Sequence, residues 1–368
     1  MSQPLNIAVI EGDGIGKEVI PEGVRVLQAA AQRYHFELKI DTMPWGDCGY
    51  YQTTGTMMPT DWKTTLASYD AIYLGAVGWP ATVPDHVSLW GSLLKIRREF
   101  DQYVNLRPVK LFAGVPCPLR NRSPEDLDFW IVRENTEGEY TDIGGIMFAD
   151  TDRELVLQQS VHTRFGSDRV LRYAYELAQS TQRKSLTVAT KSNGLAISMP
   201  WWDARARAIG EDYPAIKVDI QHIDALAAKF VLKPEAMNVV VAPNLFGDIL
   251  SDLGPACAGT LGIAPSANLN PDGTYPSLFE PVHGSAPDIA GQGIANPVGA
   301  IWSAAMLRKY SRNTDNSHHQ AADAIVREIQ ATLRNVGYPA DFRSIVYKYR
   351  TPTGGKYLVQ CEEKWDKE

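Results

Sequence analysis

Two aspartates four residues apart give the strongest sign of chemistry in this sequence. Asp248 and Asp252 lie in residues 244–252, which are predicted to be helical, so the two carboxylates share one helix face. Such carboxylates repel each other unless a positive charge lies between them, and a hard divalent cation such as Mn2+ or Mg2+ prefers oxygen ligands. The alternative is a solvated acidic face, but unpaired acids are rarely left among apolar residues such as Phe246 and Leu250. We therefore interpret the pair as ligands of a divalent metal ion.

Three arginines form a second candidate group. Arg97 and Arg107 stand ten residues apart, and Arg133 lies at the end of a predicted strand. Arginine presents a fork of donors that matches a carboxylate, so arginines that converge on one pocket suit a dicarboxylate. Each of them could instead be a surface residue or a salt-bridge partner, and the residues alone leave that alternative open.

A lysine and a third aspartate could complete such a site. Lys191 directly follows the strand predicted at residues 185–190, and α/β enzymes place their sites at the carboxyl ends of strands. Burial or nearby cations could lower its pKa towards that of a working base, although it could equally be a solvated loop lysine. Asp224 would ordinarily be assigned as a helix N-cap, but it could instead supply a third metal ligand.

Two glycine-containing turns bear on nucleotide binding. The turn at residues 12–16 does not match the Rossmann fingerprint, because the third glycine of that motif would fall at position 17, which is lysine. The fingerprint also requires an acid at the end of a second strand about twenty residues later, but residues 30–35 are predicted to be helical. The loop at residues 280–288 contains glycine and small residues that let backbone N–H groups approach a phosphate. Its Asp288 could accept hydrogen bonds from a ribose diol and would repel a 2′-phosphate, which favours NAD over NADP.

Composition limits the class of protein that holds these groups. A chain of 368 residues predicts two domains or lobes. The 36 basic and 43 acidic residues give a net charge of -7, which argues against nucleic acid and anionic membranes as partners. The four cysteines form no C-x-x-C motif, and no signal peptide or membrane span is evident. These features favour a cytoplasmic enzyme with free thiols.

Apolar runs and helical periodicity alternate along the chain, which predicts an α/β protein with a largely parallel sheet. The strands are predicted at residues 5–10, 71–78, 129–133, 185–190 and 238–242. Helices are predicted at residues 92–102, 166–180, 200–210, 224–231, 298–310 and 318–335.

Together these segments resemble the β-decarboxylating dehydrogenases, the family of isopropylmalate, isocitrate, homoisocitrate and tartrate/D-malate dehydrogenases. The resemblance runs from about residue 5 to residue 350, and the family's motifs occur in order and spacing at residues 12–16, 105–108, 133–140, 244–252 and 280–297. It implies a two-domain fold with a large mixed, mostly parallel sheet, and not a Rossmann fold. It also implies a discontinuous cofactor-binding domain, residues 1–102 plus 259–368, and a substrate, metal and dimerisation domain, residues 103–258.

The resemblance implies a role for each candidate residue. Arg97, Arg107 and Arg133 would bind the substrate carboxylates, whereas Asp224, Asp248 and Asp252 would hold Mn2+ or Mg2+. Lys191 would take the hydroxyl proton as hydride leaves C2, and Tyr140 would protonate the enolate that remains after CO2 is lost. The residues implied for NAD are His283, Gly284, Ser285, Ala286, Asp288 and Asn296. The resemblance further implies a homodimer in which the neighbouring subunit supplies Lys191 and Asp224, and a requirement for K+.

Within the family, the helix before Arg97 resembles the tartrate/D-malate branch. Trp90 and Leu93 lie in or beside it, and Trp90 would fill the space that other members leave for a larger group on C3. D-malate would then give pyruvate and CO2, tartrate would give oxaloglycolate, and meso-tartrate would give glycerate. Alternatively, Trp90 is core packing and the substrate is 3-isopropylmalate, isocitrate or homoisocitrate. A non-catalytic subunit and a metal-dependent hydrolase are further alternatives. Lys17, Glu11 and the tail at residues 351–368 depart from the family pattern.

Overall fold

The computed structural model describes residues 4–312, 314 and 316–336 of the chain. Its strands are β1 (Leu5–Gly12), β2 (Leu38–Thr42), β3 (Ala71–Ala76), β4 (Val104–Lys110), β5 (Asp128–Glu134), β6 (Gly144–Met147), β7 (Leu155–Gln158), β8 (Ser185–Thr190), β9 (Lys217–His222), β10 (Val239–Ala242), β11 (Pro265–Leu269) and β12 (Ser277–Pro281). Its α-helices are α1 (Gly16–Tyr34), α2 (Cys48–Thr54), α3 (Trp62–Ala67), α4 (Asp85–Gly91), α5 (Leu93–Glu99), α6 (Arg164–Ser180), α7 (Ser198–Gly210), α8 (Ile223–Leu232), α9 (Asn244–Ala258), α10 (Val298–Tyr310) and α11 (Asn316–Val336). Short 3-10 helices occupy Pro234–Ala236 and Leu261–Ile263.

One large sheet of ten strands runs through the described part of the chain in the order β2-β1-β3-β12-β11-β4-β5-β10-β8-β9. Three antiparallel pairings lie side by side at its centre, where β12 meets β11, β11 meets β4 and β4 meets β5. All other neighbours in this sheet are parallel. The expected α/β fold with a mixed, mostly parallel sheet is therefore confirmed.

The five strands predicted from apolar runs are all present in this sheet, to within a few residues. Strand β3 shows why they were recognisable: all six of its residues are buried, because both faces of the strand are covered. Tyr73 packs in the larger hydrophobic cluster, whereas Ile72 and Leu74 pack in the smaller one on the opposite face. Strands such as β9, which carries Lys217, Asp219 and His222, have no apolar run, and the sequence did not reveal them.

Helix α9 carries the two aspartates of the opening motif, as predicted, and it extends to Ala258. It begins directly after β10 and ends at Gly259, which adopts a left-handed conformation with φ of 70°. Gly247 allows α9 to pass close to β5, since a Cβ atom at this position would lie 2.6 Å from the Cβ and Cγ atoms of Arg133. The fold thus places the acidic face of α9 against an arginine of the sheet.

A two-stranded hairpin, β6 and β7, lies outside the large sheet, and every residue of both strands is exposed. Its exposed apolar residues are Ile146, Met147, Leu155, Val156 and Leu157. Among the described residues, no helix combines the length and hydrophobicity that a membrane crossing requires. Cys48, Cys117 and Cys257 are free thiols, whereas Cys361 and the divergent tail lie outside the described residues.

Candidate active site

The three candidate arginines come together beside helix α9. Arg107 lies on β4, Arg133 lies on the adjacent strand β5, and Arg97 lies in the last turn of α5. The side chains are almost fully buried, with relative exposures of 6% for Arg97, 7% for Arg107 and 1% for Arg133. Each guanidinium is close enough to another that their charges interact. The alternative in which the arginines are surface residues is therefore wrong, whereas the alternative of salt-bridge partners stays open.

Each of these arginines has a carboxylate partner. Arg107 donates to Asp252 at 3.0 Å, Arg133 donates to Asp248, and Arg97 donates to Glu280 at 2.9 Å. Arg133 also donates to Asn244, whose Oδ1 atom accepts from the Nε atom at 3.0 Å and from the Nη2 atom at 2.7 Å. Paired charges are what makes such deep burial of three cations tolerable. The two metal-ligand candidates therefore lie directly against two of the carboxylate-binding candidates.

The charges of this cluster alter the acidity of its members. Burial lowers the pKa of Arg133 to about 10, so the group stays protonated at neutral pH. Burial, and next the charge of Arg97, lowers the pKa of Arg107. For Asp248, burial favours the neutral acid, but Arg133, Tyr140 and the other arginines outweigh it and lower the pKa overall. Asp248 is therefore ionised at neutral pH, which is the state that a ligand of a divalent cation needs.

Tyr140 lies at the same cluster, in the loop that follows β5. Its hydroxyl donates a hydrogen bond to the Oδ2 atom of Asp248, and the guanidinium of Arg133 lies 5.1 Å from the centre of its ring. Burial, the hydrogen bond and the charge of Asp248 raise the pKa of the phenol. The hydroxyl therefore keeps its proton at neutral pH, which is the state that a proton donor needs.

Lys191 and Asp224 form a separate pair. The Lys191 Nζ atom lies 2.8 Å from the Oδ1 atom of Asp224, and this bond lowers the pKa of the aspartate. Asp224 is not the N-cap of α8, as helix rules suggested, because His222 occupies that position and Asp224 lies in the first turn. Within the described part of one chain, no three acid, histidine or cysteine side chains are arranged to hold a metal ion. The structure thus does not join Asp224 to the two aspartates of α9 in a single chain.

Trp90 lies in α4 and is 37% exposed, so it is not a core residue. The guanidinium of Arg98 lies 4.4 Å from the centre of its ring, and Arg98 also donates a hydrogen bond to the backbone carbonyl of Tyr140. Arg98 therefore links Trp90 to the loop that carries Tyr140. Leu93, at the start of α5, is partly buried and packs against the smaller hydrophobic cluster.

The candidate nucleotide loop packs against the turn at residues 12–16. The backbone N–H of Ile15 donates to the carbonyl of Ser285 at 2.9 Å, and the Ser285 hydroxyl donates to the carbonyl of Gly78 at 2.5 Å. Gly14 adopts φ of +54°, and a Cβ atom there would lie 2.0 Å from the Ser285 carbonyl oxygen, so only glycine fits. The glycine turn that lacks the Rossmann spacing thus serves as a support for the second loop.

Two buried polar atoms beside this loop have no hydrogen-bond partner among the described residues. They are the Nε2 atom of His283 and the Nδ2 atom of Asn296. Asn296 uses its Oδ1 atom to accept from the backbone N–H of Val298 at 3.0 Å, at the start of α10. Burial lowers the pKa of His283, so its ring is neutral at neutral pH. A bound nucleotide base could satisfy both atoms. In the same loop, Gly284, Pro287 and Asp288 are exposed.

Sequence reasoning missed several polar residues that lie behind the arginines. Asn105, Ser266, Asn268 and Glu280 are almost fully buried in the central antiparallel strands and contact one another or the arginines. The available signal was the alternation of polar and apolar residues in β4 and β11, which is the mark of a strand with one polar face. The sequence motifs place Asn105 only within residues 105–108 and Glu280 only at the start of the loop at residues 280–288.

Comparison with known proteins agrees with this geometry. A profile described as isocitrate/isopropylmalate dehydrogenase matches residues 6–356. The D-malate dehydrogenase [decarboxylating] of Escherichia coli (strain K12) is 63% identical over 333 residues, which span 90% of this chain and 92% of that protein. The tartrate dehydrogenase/decarboxylase of Pseudomonas putida is 60% identical over 328 residues, or 89% of this chain and 90% of that protein.

A solved structure gives the same result for the fold. The isocitrate dehydrogenase from Methylococcus capsulatus superposes with a TM-score of 0.82 at 29% identity, covering 99% of this chain and 100% of that one. The profile match covers nearly all of the chain, and the two relatives above share well over half of their aligned residues with it. The chain therefore belongs to the isocitrate/isopropylmalate dehydrogenase family.

Proposed function

We propose that this protein oxidises a small 2-hydroxy diacid with NAD and a divalent metal ion, Mn2+ or Mg2+. The substrates are D-malate, which gives pyruvate and CO2, and tartrate, which gives oxaloglycolate or, from the meso form, glycerate. One observation carries the proposal: three buried arginines converge beside α9, where Arg107 and Arg133 pair with Asp252 and Asp248, and a protonated phenol donates to Asp248. The names of the two similar relatives, D-malate and tartrate dehydrogenases, support the substrate class.

The residues of the chain fit both cofactors. Asp248 and Asp252 offer oxygen ligands, and the unpartnered atoms of His283 and Asn296 offer polar contacts for a nucleotide. When bound, the metal would polarise the substrate hydroxyl and the ketone that replaces it, and NAD would accept the hydride. The resemblance to the tartrate/D-malate branch implies a K+ ion, and the cysteine usage favours a cytoplasmic location; both stay predictions.

The roles of the chain's own groups follow from their chemistry. Arg97, Arg107 and Arg133 would bind the two carboxylates and hold the diacid with C2 fixed. Lys191 would take the hydroxyl proton, and its ion pair with Asp224 holds the amine in place. After CO2 is lost, Tyr140 would donate a proton to C3, which gives pyruvate from D-malate.

The ligand set needs a second subunit in this proposal. Asp224 and Lys191 would come from the neighbouring chain of a homodimer. Residues 103–258 would form the domain that carries the metal ligands and the dimer contact. Residues 1–102 and 259–368 would form the cofactor-binding domain. Exposed apolar side chains support such a contact, since Ile197, Leu232 and Ile249 are 88%, 68% and 53% exposed. Ile249 is next to Asp248, so a partner that covers it would also approach the metal ligands.

Trp90 accounts for the preference for a small C3 substituent in this proposal. Replacing it with leucine should raise kcat/KM for 3-isopropylmalate relative to D-malate by about tenfold or more, because the indole fills the space that the isopropyl group needs. Steady-state kinetics with both substrates would measure the ratio. A control is Trp62→Leu, which changes a buried tryptophan of the smaller hydrophobic cluster. An unchanged ratio in Trp90→Leu would show that Trp90 does not set substrate size.

Asp288 is proposed to bind the ribose diol of NAD. Asp288→Lys should weaken NAD binding by about tenfold and improve the relative affinity for NADP, because the change replaces an acceptor with a cation that attracts the 2′-phosphate. Titration of each nucleotide by calorimetry would measure both affinities. Asp272→Lys makes the same charge change at an exposed turn and should leave NAD affinity unaltered. Equal NAD affinity in Asp288→Lys and the parent protein would contradict the assignment.

An assay of NADH formation separates the proposal from its alternatives. D-malate or tartrate with NAD and Mn2+ should produce NADH, and a chelator should stop the reaction. A metal-dependent hydrolase would show no NADH under any of these conditions. A non-catalytic subunit would be inactive with every substrate, although it would still bind nucleotide or diacid.

A further inference from the structure

The four antiparallel strands at the centre of the sheet share one polar face. Asn105 on β4 pairs with Asn268 on β11 at one side and with Arg133 on β5 at the other. Ser266, two residues before Asn268, pairs with Glu280 on β12. Because side chains alternate across a strand and cross-strand partners share a face, all of these residues point to the same side of the sheet. Their polarity is unusual in strands that are otherwise apolar and buried.

A series of hydrogen bonds along this face connects Arg107 to Arg97. The Nε atom of Arg107 donates to the Oδ1 atom of Asn105 at 3.1 Å, and the Nδ2 atom of Asn105 donates to the Oδ1 atom of Asn268 at 3.0 Å. The Nδ2 atom of Asn268 donates to the Oε1 atom of Glu280 at 2.8 Å. The same oxygen accepts from Arg97 at 2.9 Å. Arg107 and Arg97 are thus the two ends of one continuous chain of bonds.

The two central amides can each take only one orientation. Asn268 has its oxygen on two amide donors, from Asn105 and Asn135 at 3.0 Å each, so flipping its side chain would place donor against donor. Asn105 is fixed because its oxygen accepts from the Nε atom of Arg107, which can only donate, so a flipped amide would place donor against donor there. Both asparagines have 0% exposure, where an unsatisfied polar group is destabilising because water cannot replace its partner. These hydrogen bonds therefore connect the guanidinium groups of Arg107 and Arg97 through two asparagines that each have one favoured orientation.

From this connectivity we infer that Asn268 is a positioning residue that fixes the spacing and orientation of Arg97 and Arg107. Asn268 does not itself reach the substrate, because it is completely buried beneath them. Two arginines held at a fixed separation select diacids whose carboxylates match that separation, so Asn268 contributes to the choice of chain length. The inference rests on the proposed role of the arginines in binding a diacid. It adds a residue on which that role depends.

The variant Asn268→Ser tests this inference. Serine already occupies the same face at Ser266, so the strand accommodates it, but it cannot bridge Asn105 and Glu280 together. We expect KM for the diacid to rise about tenfold, as the loss of hydrogen bonds to charged groups predicts, with KM for NAD and kcat within about twofold of the parent. A purely structural role would lower Tm and the amount of active enzyme without this selective change in KM.

Asn270→Ser is the matched control. Asn270 is another buried asparagine, just beyond β11, but its bonds go to Asp101, Tyr275 and Ser277 and not to the arginines. This variant should lose thermal stability and keep the parent's KM for the diacid. A rise in KM that is equal in Asn270→Ser and Asn268→Ser would overturn the inference, as would an unchanged KM in Asn268→Ser.

A second variant keeps the test decisive if Asn268→Ser folds poorly. Asn105→Ser breaks the same chain at its other amide, and it should raise KM for the diacid to a similar extent. In the double variant, KM for the diacid should rise by less than the product of the two single increases, because both changes break the same series of hydrogen bonds. Strictly additive effects on the binding free energy would contradict this. The parent enzyme's turnover of D-malate tests the proposed function separately. The ratio of variant to parent KM is read on whichever dicarboxylate the parent oxidises.

Discussion

Lys191→Ala is expected to abolish turnover while NAD still binds. Removing a general base typically costs a factor of about 10^2–10^4, so kcat should fall at least a hundredfold. The nucleotide loop contacts the turn at residues 12–16 and not Lys191, so NAD affinity should stay at the parent value. Initial rates of NADH formation and calorimetric titration with NAD would measure the two effects.

Lys191→Arg separates the charge of the lysine from its proton transfer. An arginine keeps the cation beside Asp224, but its guanidinium does not give up its proton, so this variant should be nearly as inactive as Lys191→Ala. Lys184→Ala removes a surface lysine just before β8 and should be fully active. An unchanged kcat in Lys191→Ala would exclude this lysine as the base.

Asp248→Asn is expected to weaken both catalysis and metal binding strongly. It removes the charge of a carboxylate whose pKa is held below its ordinary value, and that carboxylate contacts both Arg133 and Tyr140. We expect at least a hundredfold loss of kcat/KM and at least tenfold weaker Mn2+ binding, because an amide is a much poorer ligand for a hard cation than a carboxylate. Electron paramagnetic resonance of Mn2+ measures the binding without any need for activity.

Asp128→Asn is the matched control for this change. Asp128 also forms an ion pair, with Lys110 at 2.6 Å, but it lies at the opposite end of β5 from Arg133. This variant should bind Mn2+ and turn over substrate as the parent does. Normal Mn2+ affinity in Asp248→Asn would contradict the proposed metal site, whatever the effect on rate.

The two inactive variants together test whether the site is shared. If Lys191 comes from the neighbouring subunit, a mixed dimer of Lys191→Ala and Asp248→Asn has one site with both changes and one site with neither. Random exchange of subunits makes half of the dimers mixed, so the mixture should recover about a quarter of the parent's activity. If each chain builds its own site, every site carries one change and the mixture stays inactive.

Some features of this site could be predicted because they depend on local pattern. Asp248 and Asp252 share a helix face, and Lys191 follows an apolar strand, so periodicity alone places these side chains. The arginines belong to three consecutive elements of different type and direction, α5, β4 and β5. Their convergence depends on the order of strands in the sheet, which no local pattern encodes.

Other features could not be predicted because they depend on tertiary contacts. The bond between Tyr140 and Asp248 forms only where the loop after β5 crosses α9. The network of Asn105, Asn268 and Glu280 requires three antiparallel pairings at the centre of a mostly parallel sheet. Apolar runs predict only a largely parallel sheet, and the mixed sheet that the family resemblance implies does not say which strands are antiparallel. Strand β4 was missed altogether, because its polar residues Asn105 and Arg107 interrupt the apolar run that marks a buried strand.

The most direct measurement is a comparison of substrates on the purified protein with NAD and Mn2+. D-malate, L-tartrate, meso-tartrate, 3-isopropylmalate and isocitrate would be assayed side by side for NADH formation, with and without a chelator. We expect D-malate or a tartrate to have the highest kcat/KM, pyruvate to form from D-malate in equal amount to NADH, and the chelator to stop the reaction. A clearly higher kcat/KM for 3-isopropylmalate or isocitrate, or NADH formation that continues with the metal removed, would contradict the proposed function.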